Sequence, residues 1–318
     1  MPETAFLFPG QGSQFVGMGK DLYDASSPAR EMFNRADQVL GFSVTERMFG
    51  SGTEDEIKLG DEAAALRQTD VGQPALYLLS CVAATLLAEK GIRPVATAGH
   101  SVGEYGALFA AGSLSFEDGL RIIRLRGQLM AAAGRERPGK MCAIIGLDDE
   151  VVERICRQVS NGGGVVVPAN YNAPGQIVIS GDSTAVESAA NVASGEGARK
   201  AVMLTVSGAF HSPLVEVAQS ALENELKQLN ISAPECPVYL NVTARPSQDP
   251  AEIRDRLIEQ ITAPVKWAQS LVEMHADGVT SYIEVGAGRV LSGLVKRTLD
   301  RKTPTAQAGT AAEIEAII

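Results

Sequence analysis

The chain has 318 residues, 45% of them hydrophobic, which is enough for one large α/β domain with a smaller one and a sizeable buried core. Its formal net charge is −10. That balance argues against nucleic acid or an anionic membrane surface as a partner, and an acidic partner would need a local basic patch.

In chain order, residues 4–8 read as a short apolar strand, followed by the glycine-rich turn Phe8-Pro9-Gly10-Gln11-Gly12-Ser13-Gln14. This turn is not a dinucleotide fingerprint, because Phe15 stands where the third glycine belongs, nor a Walker A loop, because no Gly-Lys-Ser/Thr follows. Apolar helices are expected at about 28–40 and 74–90, then a strand (95–98), the turn Gly99-His100-Ser101-Val102-Gly103, and helices at 104–111 and 114–133. A Gly-Arg-Glu-Arg-Pro-Gly linker at 134–139 ends this region. Strand (141–146), helix (149–159), strands (165–169 and 176–180), helix (183–193) and strand (199–204) follow in the order of a split βαβ, ferredoxin-like unit. Residues 136–205 thus read as a small α+β subdomain inserted into a large α/β domain formed by 1–135 and 206–318, with a cleft between them. Helix (214–229), strand (238–241), helices (251–260 and 264–275), strand (281–285) and a final helix (290–298) complete the pattern; the Ala-Gly-Thr-Ala-Ala tail reads as peripheral.

Cys81, Cys142, Cys156 and Cys236 are scattered without CxxC or metal-ligand spacing, so reduced thiols and no metal are expected. With no recognisable leader and apolar runs that read as too short or interrupted to cross a bilayer, a soluble cytoplasmic protein is expected.

A GxSxG between a strand and a helix is the setting of a nucleophile elbow, in which a serine hydroxyl is presented at the end of a sheet. The same five residues are also compatible with an ordinary glycine-bounded turn. A serine nucleophile needs a base, and the chain has three histidines. His100 adjoins Ser101 on the opposite side of an extended segment and reads as buried, orienting the elbow. His275 lies on a helix with Trp267, Leu271 and Met274 at helical spacing and reads as a surface residue. His211, in the turn Ser207-Gly208-Ala209-Phe210-His211-Ser212-Pro213, is the remaining candidate. Arg126 is out of place: its helical neighbours are Ile122, Ile123, Leu129 and Met130, so it projects from an apolar face and should have a carboxylate partner. An internal Asp or Glu, snorkelling at the helix edge and a ligand carboxylate all remain open.

With these pieces in order, the sequence resembles the malonyl-CoA:acyl carrier protein transacylases of fatty acid and polyketide synthesis over nearly its whole length. The matching segments are Phe8 to Gln14, Gln73-Pro-Ala-Leu76, Gly99-His-Ser-Val-Gly-Glu104, Arg124-Leu-Arg-Gly127, Asn170-Tyr-Asn-Ala-Pro174 with Gln176 to Gly181, Gly208-Ala-Phe-His-Ser-Pro213, Pro264-Val-Lys-Trp267 and Glu284-Val-Gly286. The resemblance implies a hydrolase-like α/β core with a parallel sheet and an inserted ferredoxin-like subdomain. It implies Ser101 as the acylated nucleophile, His211 as its base, the backbone N–H groups of Gln11 and Val102 as the oxyanion hole, and the backbone carbonyl of Gln260 as the group that orients the imidazole. Arg126 would hold the malonyl carboxylate, and Phe210 would crowd an α-methyl branch. The basic pairs Arg199-Lys200 and Lys296-Arg297 are candidate docking residues for an acidic acyl carrier protein bearing the phosphopantetheine thiol. Malonyl-CoA is then the substrate of a monomeric enzyme with no bound cofactor. A transferase loading polyketide carriers, a serine esterase and a catalytically silent scaffold are the competing readings.

Overall fold

The computed structural model describes residues 3–50 and 61–317. The chain runs β1 (Thr4–Phe8), α1 (Lys20–Ala25), α2 (Ser27–Leu40), α3 (Val44–Phe49), α4 (Asp61–Arg67), α5 (Thr69–Glu89), β2 (Ala96–Gly99), α6 (Gly103–Ala110) and α7 (Phe116–Glu136). Then come β3 (Gly139–Ile145), α8 (Asp149–Ser160), β4 (Val166–Ala173), β5 (Gln176–Asp182), α9 (Ser183–Gly195) and β6 (Lys200–Met203). A 3₁₀ turn at Pro213–Val215 leads to α10 (Glu216–Gln228), β7 (Val238–Tyr239), β8 (Pro246–Ser247), α11 (Pro250–Glu259), α12 (Trp267–Ala276), β9 (Ser281–Val285), α13 (Val290–Thr298), β10 (Thr305–Ala308) and α14 (Ala311–Ala316).

Strands covered on both faces carry apolar residues without alternation, and β1, β2 and β9 are of this kind. They form a six-stranded sheet in the order β10-β9-β1-β2-β7-β8, parallel except for the β7–β8 pair. A second sheet, β4-β5-β3-β6, is antiparallel throughout. Its strands alternate: Cys142, Ile144, Ile177 and Ile179 pack with α8 and α9 in a separate core, whereas Met141 and Val178 join the main core.

The expected elements recur with shifted ends, and the differences have physical causes. Helix α5 begins before Pro74 rather than at it. Proline lacks the N–H that would bond the carbonyl of Asp70 four residues back, and Arg124 of α7 takes that carbonyl instead, with its guanidinium also 3.0 Å from Asp70 Oδ2. Helix α5 is also, by length and composition, able to cross a membrane, contrary to the expectation that every apolar run is too short or interrupted; 78% of its apolar window is buried inside the protein. Half of the expected linker at 134–139 is helix, since α7 runs to Glu136, and β3 already starts at Gly139. Gly134 stays a glycine for lack of room: a Cβ there would lie 2.1 Å from the carbonyl oxygen of Ser207. The tail is peripheral only in part, because its first residue, Ala308, ends β10 beside β9 and is buried with Gly309.

Candidate active site

The turn between β2 and α6 places Ser101 at φ 53, a left-handed conformation costly for a residue with a Cβ. The flanking glycines serve close packing rather than a positive φ. A Cβ on Gly99 would fall 1.9 Å from the carbonyl carbon of Gly103, and one on Gly103 would fall 2.1 Å from the carbonyl oxygen of Phe8. The peptide groups on both sides of Ser101 are held by side chains. Its N–H donates to Asn241 Oδ1 at 2.7 Å, and its carbonyl accepts from Gln260 Nε2 at 3.1 Å as well as from the Glu104 N–H at 3.0 Å.

Ser101 Oγ lies 2.9 Å from His211 Nε2. On the other side of the ring, Nδ1 faces the carbonyls of Gln260 (2.9 Å) and Ala263 (3.2 Å). Carbonyl oxygens only accept, so Nδ1 carries the proton and Nε2 presents its lone pair to the serine hydroxyl. Burial, and then the nearby Arg126 charge, push the His211 pKa down to about 3, which keeps the ring neutral. His100 does not reach Ser101. It is half-buried and lines the cavity rather than lying beneath the elbow, with Nε2 2.8 Å from Asn172 Oδ1 and its ring centroid 5.5 Å from that of Trp267. His275 is an exposed helix residue, as expected.

Arg126 on α7 is fully buried, which excludes snorkelling, and among the described residues no carboxylate forms an ion pair with it. Its partners are neutral: Nη1 donates to Gln73 Oε1 (2.8 Å), and Nη2 donates to Gln260 Oε1 (3.0 Å) and Ser101 Oγ (3.1 Å). Its Nε has no partner among the described residues. The carboxylate of Glu104 joins this hydrogen-bond network through Gln260, whose Nε2 donates to Glu104 Oε2. Burial raises the Glu104 pKa to about 8, against the opposing pull of the Asn241 N–H, the Gln260 amide and the Arg126 charge.

A cavity of about 1140 Å³ opens over this cluster, lined among others by Gln11, Ser101, Val102, Asn170, Phe210 and His211. The Phe8 to Gln14 turn packs against the elbow so closely that a Cβ on Gly10 would meet the His100 carbonyl oxygen at 2.5 Å. The backbone N–H groups of Gln11 and Val102 donate to no described group, and both residues line the cavity beside Ser101. That combination offers a nucleophile, a neutral base, two free N–H donors and a buried cation to a substrate bearing an electrophilic carbonyl and an anionic group. Among the described residues no group of three His, Cys, Asp or Glu side chains is arranged to hold a metal.

The family now follows from comparison. Residues 5–315 match the acyl transferase domain family. The chain belongs to this family, and it is an acyltransferase. It is 43% identical over 297 residues to the malonyl CoA-acyl carrier protein transacylase of Bacillus subtilis (strain 168), covering 93% of this chain and 90% of the relative. It superposes with a TM-score of 0.91, at 38% identity, on an acyl carrier protein S-malonyltransferase from Vibrio cholerae, covering 99% of this chain and 100% of that one. A malonyl-transacylase solved in complex with its type II PKS acyl-carrier protein matches at TM-score 0.91 and 37% identity over 98% of each chain.

The remaining candidates of this acyltransferase lie on its surface. Arg199, Lys200, Lys296 and Arg297 are all exposed, and none of them lines the cavity. Strand register aligns Lys200 with Ile145 and Ile145 with Gln176, and Arg297 donates to the Gln176 side chain, so the two pairs meet at one end of the small sheet. Sequence reasoning passed over Gln73, Glu104 and Asn241 as site residues. For Glu104 a signal existed, a lone carboxylate in the otherwise uncharged run of α6; for Asn241, after a two-residue strand, there was none.

Proposed function

We propose that this acyltransferase moves a malonyl group from malonyl-CoA to the phosphopantetheine thiol of an acyl carrier protein through a malonyl-serine intermediate. The observation that carries this reading is Arg126, buried with neutral partners and with Nη2 3.1 Å from the hydroxyl of Ser101. A guanidinium in that position suits an acyl chain ending in a carboxylate, which it can bind through two parallel hydrogen bonds. The names of the relatives support the same donor and acceptor.

In this mechanism Ser101 Oγ attacks the thioester carbonyl while its proton passes to His211 Nε2. The developing oxyanion takes hydrogen bonds from the N–H groups of Gln11 and Val102, and the Gln260 carbonyl holds the imidazole in the right tautomer. Collapse of the tetrahedral intermediate expels the thiol of coenzyme A, with the proton returned from His211. The carrier thiol then attacks the malonyl-serine by the same steps in reverse. Phe210, buried at the cavity wall, limits branching next to the carbonyl.

The domain assignment belongs to this proposal: a hydrolase-like core (1–135 and 206–318) and a ferredoxin-like insert (136–205), the latter supported by the antiparallel order β4-β5-β3-β6. So do a cytoplasmic location, a monomeric state, the absence of a bound cofactor and electrostatic docking of the carrier at Arg199, Lys200, Lys296 and Arg297. Fatty acid synthesis is the favoured pathway. The complex of one structural neighbour with a type II PKS carrier supports polyketide loading as a second reading, which transfer rates to each class of holo carrier protein separate.

Intact-protein mass spectrometry after mixing with malonyl-CoA tests the central claim. A malonyl increment that Ser101→Ala abolishes, and that a holo carrier protein removes, is expected. An unmodified protein overturns the reading, and rapid loss of the increment to water without carrier indicates an esterase.

A further inference from the structure

Two buried glutamates do different work. Glu284, on β9, accepts the N–H groups of Leu291 (3.0 Å) and Ser292 (2.8 Å) and closes the first turn of α13. Glu104, one turn beyond Ser101 on α6, accepts from two groups that both lead back to the nucleophile. Oε1 accepts the backbone N–H of Asn241 at 3.1 Å, and the side chain of Asn241 in turn holds the Ser101 N–H (2.7 Å) and the Gly99 carbonyl (2.7 Å). Oε2 accepts Gln260 Nε2, and Gln260 holds the Ser101 carbonyl, Arg126 Nη2 and the imidazole Nδ1.

We infer that Glu104 is a positioning residue for acyl transfer: it clamps the peptide groups on both sides of Ser101 and fixes which way the Gln260 amide faces between itself and Arg126. The clamp rests on the acyl-serine reading given above. Both groups on the Glu104 oxygens are donors, so the ionised carboxylate, although burial raises its pKa to about 8, fits where an amide does not. A glutamine at 104 has one oxygen for two donors, and its NH₂ would confront either the Asn241 N–H or the Gln260 amide. Turning the Gln260 amide to relieve that conflict takes its oxygen away from Arg126. Glu104 has no contact with the reacting atoms, so its effect reaches them only through Asn241 and Gln260.

Single-turnover malonylation of Ser101 tests the clamp in Glu104→Gln, beside Glu284→Gln as a structural control, with thermal unfolding measured on each. The expected result is a folded Glu104→Gln protein whose saturating acylation rate falls on the order of 10²-fold, the scale set by misplacing reacting groups by about an ångström. The fall should be of similar size with acetyl-CoA, since serine placement serves either acyl group. Glu284→Gln should lower the melting temperature and leave the acylation rate of the folded protein unchanged. A Glu104→Gln variant that is merely less stable, with wild-type saturating rate, overturns the inference. If that variant does not fold, Asn241→Ala cuts the same arm at the Ser101 N–H, and unslowed acylation there overturns it equally. Failure of the wild-type chain to be malonylated would instead strike the acyl-serine reading on which the inference stands.

Discussion

The two sheets of this protein are built on opposite principles. The six-stranded sheet is mostly parallel, and its central strands are buried along nearly their whole length. Its β2 end delivers Ser101 into a cluster with His211, Arg126, Gln260 and Glu104, of which all but Ser101 are buried. The four-stranded sheet is antiparallel, and its edge strand β6 leaves Lys200, Val202 and Met203 exposed, while its continuation, Leu204 to Val206, lines the cavity. On the proposed mechanism the large region supplies the mostly buried reacting groups, and the small region supplies part of the cavity wall and, together with α13 of the large region, an exposed rim. Chemistry needs groups held against water, whereas a passing partner needs charge that water can reach.

If that division holds, changes in the buried cluster strike acylation itself, and His211 should strike hardest. His211→Ala is expected to remain folded and to slow malonylation of Ser101 by about 10²–10⁴-fold, the usual worth of a general base, as read by rapid-quench mass spectrometry. The pH profile sharpens the point. With the imidazole pKa depressed to about 3, the base form persists as pH falls through the ordinary histidine range, so wild-type acylation should show no acid limb between about pH 5 and 7. The stability effect has the opposite sense to a salt-bridged histidine. The unfolded chain binds a proton that the folded one refuses, so this residue's contribution to stability falls as pH drops below the unfolded pKa of 6.5 toward 3.

Arg126 comes next. Arg126→Ala should lose malonyl turnover on the order of 10²-fold, the scale of one or two charge-assisted hydrogen bonds, while acetyl-CoA turnover is kept or raised. Equal losses with both substrates would make the arginine structural. Phe210 should act more weakly: a small residue there is expected to raise methylmalonyl use relative to malonyl by about 1–3 kcal/mol, whereas a pure packing role predicts a lower melting temperature with unchanged preference.

The rim should give the smallest effect and a different pattern. Lys296→Glu with Arg297→Glu is expected to slow transfer to the carrier while leaving malonylation of Ser101 near normal, and the loss should shrink as salt shortens the screening length toward about 8 Å. A parallel fall in both half-reactions would erase the distinction between the buried cluster and the exposed rim. No change in either would move the docking question to Arg199 and Lys200.

How much of this was legible in the sequence follows the same division. Strands and helices with clear periods were readable, and the order of the insert was complete, because alternation and helical spacing are local signals. What was hidden depended on contacts across the fold. Thr305–Ala308 carries no apolar run and becomes a strand only because β9 offers a free edge. Helix α5 starts ahead of its proline because Arg124, 54 residues away, takes the carbonyl that proline leaves unbonded. In the site, Ser101, His211 and Arg126 stood out by residue type and context. The groups that aim them did not, since Asn241, Gln73 and the side chain of Gln260 are uncharged amides whose importance lies in which way they face.

Those amides change what it means to bury a cation. In water a guanidinium is solvated by molecules that reorient whenever another charge approaches, and that rearrangement is part of the barrier to every ionic encounter. Around Arg126 the solvent has been replaced by the carbonyl ends of Gln73 and Gln260, which covalent attachment and further hydrogen bonds prevent from turning away. An anion reaching Arg126 meets a charge whose surroundings are already set, with little dipole rearrangement left to make.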